Sequence, residues 1–278
     1  MTDFHSAERV QTKSGKQYHI GLGPKDLAPY ILMCGDPARV HRVATYLKNT
    51  KAPVAYREYL TITGLYKGIP VSVMGTGMGP DNTEIAVVEM AQIIKGATLI
   101  RIGSCGGLKK GVEVGDLAIS TGAVRLENTT SYFVHEGYPA VAHHEVTLAL
   151  IQAAAEKKFT YHVGITATAP GFYGAQGRTV PGFTPRDPEL PQKLEKMNVL
   201  NMEMEASSLF VLSNIAGFRA GAVCAVYANR HANRFIDQKQ MKEAEKNCIE
   251  TGLGAIETLA KMDKAKKGRG HWLPSMGI

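Results

Sequence analysis

The sequence predicts an α/β fold: a single-domain, three-layer α/β/α sandwich around a central mixed, twisted sheet. Three observations point there. Short β-branched runs alternate with longer amphipathic stretches along the 278 residues. A helix candidate at 82–95 stands between strand candidates 70–76 and 98–103, as a parallel βαβ unit requires. The candidates 59–66 and 70–76 are joined only through Lys67-Gly68-Ile69-Pro70, too short for a crossover, so that pair must be antiparallel.

Each element has a local reason. Tyr30-Ile31-Leu32-Met33-Cys34 is an apolar run and the first buried strand. Gly35-Asp36-Pro37 then offers a side-chain acceptor ahead of a proline at the first helical position, which starts a helix over 37–47. Asp81 or Asn82 can cap the helix beginning Thr83-Glu84-Ile85. Strand 98–103 empties into Gly103-Ser104-Cys105-Gly106-Gly107, read as a glycine-rich turn. Strands 115–121 and 161–169 flank a helix over 143–157 that opens at His143-His144. Asn201-Met202-Glu203-Met204-Glu205 opens an apolar helix over 205–216, followed by strand 220–228 and helix 238–262. The proline-rich stretch 171–198 reads as a long excursion, and such loops are usually functional or mobile.

At 44% hydrophobic residues the chain can bury one substantial core, and neither repeats nor a linker divide it. The net charge of +7 invites a nucleic-acid reading. Its distribution argues against one: Lys261, Lys264, Lys266, Lys267 and Arg269 concentrate it in residues 261–269, which run into a short, solvated basic tail over 263–278. Cys34, Cys105, Cys224 and Cys248 form no C-x-x-C pair, so neither a zinc site nor a disulfide framework is expected. Residues 1–17 form a polar extension without the apolar stretch of a secretory signal, and no apolar run is long enough to span a bilayer. A cytoplasmic location with no membrane partner is the expectation.

Three arginines stand where an ordinary core would reject them. Arg39 follows Gly35-Asp36-Pro37-Ala38, Arg57 sits between two short β-like runs, and Arg101 interrupts the apolar strand before the glycine run. A buried guanidinium is costly unless an anion meets it, and its planar fork suits phosphate. The competing reading of Arg101 is a salt bridge in the core, with Glu205 or Asp116 as partner. No P-loop is present, and Gly75-Thr76-Gly77-Met78-Gly79 has the wrong spacing for a dinucleotide fingerprint. In extended backbone Gln176 and Arg178 would project to one side, an amide able to match a cyclic imide beside a donor-only cation. An accidental polar loop explains the same spacing. Acids at Glu203 and Glu205 suit a helix start, and equally the vicinal hydroxyls of a sugar.

Taken in order, Gly35-Asp36-Pro37-Ala38-Arg39, Arg57-Glu58, Arg101-Ile102-Gly103-Ser104, Gln176-Gly177-Arg178, Glu203-Met204-Glu205 and Asn229-Arg230 resemble the uridine phosphorylases of the nucleoside phosphorylase family. The resemblance runs from about Tyr18 to Leu259. It implies phosphorolysis of uridine to uracil and α-ribose 1-phosphate, in pyrimidine salvage, with inorganic phosphate as co-substrate and no cofactor. Gly35, Arg39, Arg101 and Ser104 would hold phosphate, with Arg57 reaching across from a neighbouring subunit. Glu203, Met204 and Glu205 would hold the ribose, and the partner copy's residue at position His19 would contact the 5′-hydroxyl. Phe172, Gln176 and Arg178 would meet the base, supported by Arg230. Arg101, Arg178 and Gln176 would carry catalysis. A homodimer is the implied minimum unit, a hexamer of three dimers the usual family arrangement, and an ion near Glu58 a feature of some relatives. No catalytic metal is implied.

Purine-cleaving relatives carry aspartate where this chain has Asn229, and an amide cannot give up a proton to a purine ring nitrogen. Met202 replaces a common aromatic residue, and Met78-Gly79-Pro80-Asp81-Asn82 is an unusual version of its loop. The alternatives are a purine nucleoside phosphorylase or nucleosidase of the same fold and, in another class, a non-catalytic nucleotide-binding protein.

Overall fold

Alternation along the first strand, Tyr30–Cys34 (β1), generates the layers: Leu32 and Cys34 enter one core, Ile31 and Met33 the other. The structure is a computed structural model that describes residues 6–278; residues 1–5 of the polar extension lie outside the described residues. After β1 the chain runs through Pro37–Ala44 (α1), Val54–Tyr56 (β2), Tyr59–Tyr66 (β3), Ile69–Gly75 (β4), Pro80–Ile93 (α2) and Thr98–Gly107 (β5). It continues through Leu117–Arg125 (β6), Ala140–Val141 (β7), His144–Glu156 (α3), Tyr161–Thr168 (β8), Leu190–Lys196 (α4) and Asn201–Glu203 (β9). Ala206–Ile215 (α5), Arg219–Asn229 (β10), Arg234–Phe235 (β11) and Gln238–Lys266 (α6) complete it.

The strands form one mixed sheet in the order β11-β10-β6-β8-β9-β5-β1-β4-β3-β2, with β7 on β6. A further pairing of β10 with β5 closes β5, β10, β6, β8 and β9 into a ring, so half of the sheet is barrel-like. Residues from α1, α3 and α6 fill the core on one face, and α2 and α5 fill the other. This is the expected α/β sandwich, with a closure that strand periodicity does not report.

Local signals account for most boundaries. Asp36 accepts from the Ala38 N–H at 2.9 Å, with Pro37 in the first turn of α1. Lys67 and Gly68, both at positive φ, make the tight turn between antiparallel β3 and β4. Helix α2 departs from expectation: it begins at Pro80 behind Gly79 (φ 102), so Asp81 lies inside the first turn, where it accepts from the Thr129 hydroxyl instead of capping.

Two further expectations are corrected. Gly103 to Gly107 is no turn but the second half of β5, held between β10 and β9. Its glycines serve close packing: a Cβ at Gly107 would lie 2.8 Å from Val112 Cγ1, and one at Gly106 3.2 Å from Arg230 Cγ. Asn201-Met202-Glu203 is likewise a short strand between β5 and β8, and α5 starts only at Ala206. The basic tail is not simply solvated either. Lys266 Nζ and the Trp272 N–H both donate to the buried Glu145 carboxylate, at 2.6 and 2.9 Å, which ties the C-terminal segment to α3.

Candidate active site

Strands β1 and β4 end together at Cys34 and Gly75, while β5 continues past β1 alongside β10. The step leaves a crevice at the carboxyl ends of parallel strands, where open α/β sheets receive ligands. A cavity of about 510 Å³ opens there. Of the residues singled out from sequence, Gly35, Arg39, Arg101, Ser104, Phe172, Gln176, Arg178, Glu203, Met204 and Glu205 all line it. They come from four separate segments, and the fold alone brings them together.

The two arginines are positioned by carboxylates. Arg39, 6% exposed, donates from Nε to Glu245 at 2.8 Å and from Nη1 to the Ile102 carbonyl at 3.0 Å. Arg101, also 6% exposed, donates from Nε to Glu203 at 2.9 Å and pairs through Nη2 with Glu205 at 2.5 Å. Burial alone would lower the Arg101 pKa; Glu205 and Glu203 outweigh it and hold the guanidinium charged. The salt-bridge reading of Arg101 is therefore correct for Glu205 and wrong for Asp116, which pairs with His162. Pairing does not exhaust the forks: each guanidinium has five N–H donors and still faces the cavity. Gly103 makes room for this, since a Cβ there would stand 2.7 Å from Arg101 Cζ.

The two acids differ in what they can do. Glu203 has a fully buried carboxylate that accepts from Arg101, from the Thr168 hydroxyl at 2.6 Å and from the Glu205 and Ala206 N–H groups. That arrangement anchors the start of α5 and leaves no exposed oxygen for a sugar, so a direct hydroxyl contact by its side chain is corrected to a supporting one. Glu205 accepts from the Gly79 N–H at 2.7 Å and from Arg101. Burial pushes its pKa up, and Arg101 pulls against that. Met204, beside it, is half-buried on the cavity wall.

The excursion supplies the other group. Gly174–Gln176 is a 3₁₀ turn that ends in left-handed Gly177, so the extended backbone expected here is not observed. Gln176 and Arg178 meet nonetheless: Arg178 Nη1 donates to Gln176 Oε1 at 2.5 Å and to the Phe172 carbonyl at 2.6 Å. Its guanidinium lies over the Phe172 ring, 3.8 Å from the centroid. Burial, then the nearby Arg230, lowers the Arg178 pKa to about 10. Arg230 stays outside the cavity and donates to the Gln176 carbonyl at 3.2 Å.

Three residues stand elsewhere. Asn229 is buried outside the cavity, its amide donating to the Val112 carbonyl and accepting from the Ala232 N–H. It braces the end of β10, so its bearing on base choice does not come from direct contact. Arg57, at positive φ on the exposed β2–β3 turn, lies over the Tyr18 ring, and that ring meets His19 edge-on. His19 is held by Glu89 at 2.7 Å. Arg57 and His19 thus form one cluster away from the chain's own cavity. Sequence reasoning missed Cys105, Tyr227, Ala228 and Phe235 on the wall. Tyr227 and Ala228 adjoin the Asn229-Arg230 motif, which was a usable signal; nothing local marks Phe235.

Among the described residues, the one cluster with metal-ligand geometry is His144, Glu145 and His271, distant in sequence from Glu58. Its Glu145 already neutralises Arg219 and Lys266, cations that would repel a metal ion.

Known proteins match nearly the whole chain. Residues 29–259 match the family model of the Phosphorylase superfamily. A uridine phosphorylase of Thermococcus kodakarensis is 46% identical over 98% of both chains, and one of Escherichia coli 35% identical over 87% of this chain and 97% of its own. Among solved structures, a Trypanosoma brucei nucleoside phosphorylase described as showing uridine phosphorylase activity superposes with a TM-score of 0.81 at 28% identity, covering 88% of this chain and 98% of that one. The chain is therefore an enzyme of the Phosphorylase superfamily and belongs to its uridine phosphorylase family.

Proposed function

We propose that the enzyme cleaves uridine with inorganic phosphate to give uracil and α-ribose 1-phosphate, a step of pyrimidine salvage. The observation that carries this reading is the convergence of Arg39, Arg101, Ser104, Glu205, Gln176 and Arg178 on one cavity, in a chain 46% identical to a uridine phosphorylase. Phosphate would sit against Gly35, Arg39, Arg101 and Ser104. Glu205 and Met204 would hold the ribose. The Gln176–Arg178 pair, with Phe172 beside it, would take the base. As the glycosidic bond breaks, the sugar becomes cation-like and the uracil gains negative charge. Bound phosphate offsets the first and Arg178 the second, so no covalent nucleophile or cofactor is required.

The position of Arg57 and His19 in one exposed cluster supports a homodimer as the minimum active unit, with each copy lending that cluster to the other's cavity; a hexamer would repeat the arrangement. Four buried free cysteines suit a reducing, cytoplasmic setting. Among the described residues no helix is long and apolar enough to cross a membrane.

A purine reading has one observation behind it, a Halorubrum lacusprofundi guanosine phosphorylase 31% identical over 77% of this chain. Incubation with uridine, inosine and guanosine, with and without phosphate, decides. Uracil release that depends on phosphate is expected. Equal cleavage without phosphate, or preferred cleavage of a purine nucleoside, would refute the assignment.

A further inference from the structure

We infer that Glu245, a residue outside the cavity, is the positioning residue that aims Arg39 at phosphate. The inference rests on the phosphorolytic reading above.

Arg39 sits in the first turns of α1, yet its guanidinium has to reach across the end of the sheet to line the cavity. Such a side chain has many rotamers, and orienting it costs entropy at the moment of binding unless it is held beforehand. Two contacts hold it. Nε donates to Glu245 Oε2 at 2.8 Å, and Nη1 donates to the Ile102 carbonyl at 3.0 Å. Two acceptors on different edges of a planar group fix its plane, leaving the remaining donors toward the cavity, beside Tyr227. The Ile102 carbonyl is neutral; Glu245 supplies the charge.

Glu245 is not a surface partner that happens to be near. It comes from the first turns of α6, 206 residues along the chain, and its side chain is only 12% exposed. The same carboxylate also binds Arg42 through both Nε and Nη2. Arg39 and Arg42 are three apart on α1 and share one face, so a single acid keeps two like charges in register. Asp36 also accepts from Nη2 of Arg42, at 2.5 Å, and Arg42 is half exposed, which leaves Arg39 as Glu245's buried partner. Without the acid, Arg39 becomes a buried cation beside another cation, and its easiest relief is to swing away from the cavity.

The test is a split in kinetic parameters that a merely structural residue would not produce. Glu245→Gln keeps the shape and one acceptor but removes the charge. A charge-assisted hydrogen bond of this kind corresponds to about 10- to 100-fold in binding. The phosphate KM is expected to rise by about that factor, with the uridine KM and the kcat at saturating phosphate changing less than about threefold. Glu245→Asp should recover part of the loss. Arg42→Gln, which removes the other partner and lies outside the cavity, should leave the phosphate KM within about twofold. The stabilisation of the ligand-free enzyme by inorganic phosphate alone, read as a melting-temperature shift, should shrink in Glu245→Gln and persist in Arg42→Gln. An unchanged phosphate KM and phosphate shift in Glu245→Gln, or a loss spread equally over both substrates and kcat, overturns the positioning role. Should Glu245→Gln fail to fold, the same split in Glu245→Asp decides the matter in either direction. A wild type that neither cleaves uridine nor is stabilised by phosphate would instead overturn the phosphorolytic reading itself.

Discussion

Replacing Gly103 by alanine adds one methyl group, and the structure says where it goes. The new Cβ would lie 2.7 Å from Arg101 Cζ, 2.8 Å from Arg101 Nη2 and 2.8 Å from Cys224 Sγ. Residues two apart on a strand face the same way, so the guanidinium of Arg101 has folded back over the glycine. Relief to an ordinary contact near 3.5 Å needs a movement of about 0.7–1 Å. Cys224 is on β10, fully buried and unable to retreat, so Arg101 must move and strain its pairs with Glu203 and Glu205. Overpacking of this kind costs about 1–3 kcal/mol, which for a chain of this size lowers the melting temperature by about 2–10 °C. If Arg101 binds the reacting phosphate as proposed, a misplacement on the order of 1 Å costs about 10²-fold in kcat/KM. Uracil release at varied phosphate, together with thermal unfolding of the same preparation, measures both. Wild-type kcat/KM in a correctly folded Gly103→Ala enzyme would falsify the claim that Arg101 is held in its working position by that glycine.

Arg178→Ala should retain the melting-temperature shift produced by phosphate but lose about 10²–10³ in turnover, because in the proposed mechanism the donor it removes meets charge that develops only as the bond breaks; an unimpaired rate refutes its role at the base. Asn229→Asp should lower the melting temperature, since the new carboxylate would face the Val112 carbonyl and Glu113, without creating inosine cleavage; a gain of purine activity would return that position to base selection. Glu145 gives a pH prediction. Burial alone would raise its pKa, but Lys266, the Trp272 N–H and Arg219 hold it down to about 2, against an ordinary 4.5. Its folded-state pKa is depressed, so its contribution is present in full above about 4.5 and is lost as the pH falls toward about 2. Acid unfolding followed by Trp272 fluorescence should show this, with the transition weakened in Glu145→Gln; coincident acid curves would contradict it.

Much of this molecule is legible in its sequence where one physical signal dominates. The apolar run of β1, the Asp36-Pro37 start of α1 and the short antiparallel connection beginning at Lys67-Gly68 each depend on neighbours in the chain. The glycine run after Arg101 is ambiguous in sequence because glycine looks alike in a turn and in a strand that something approaches closely. Here the approaching groups are Arg101 itself, Val112, Cys224 and Arg230, the last two distant in sequence. Asn201 to Glu203 reads as the approach to a helix because β9 is three residues long and exists only through its pairing with β5 and β8. The site divides in the same way. Arginines in apolar or glycine-flanked positions were visible because they violate the usual placement of charge. Their counter-ions were less so: Glu245 sits among ordinary helix residues, and only the placement of α6 over β10 and β5 shows that it holds Arg39. Asn229 drew attention by its place in a motif, and its contacts turned out to be structural.

A crystal soaked with uridine and sulfate tests the shared cavity most directly. Sulfate should be found within hydrogen-bond distance of Arg39, Arg101 and Ser104, with the uracil ring on Gln176 and Arg178 and the ribose between them at Glu205. Sulfate bound elsewhere, or a nucleoside whose base contacts neither Gln176 nor Arg178, would contradict a single site that joins phosphate to pyrimidine.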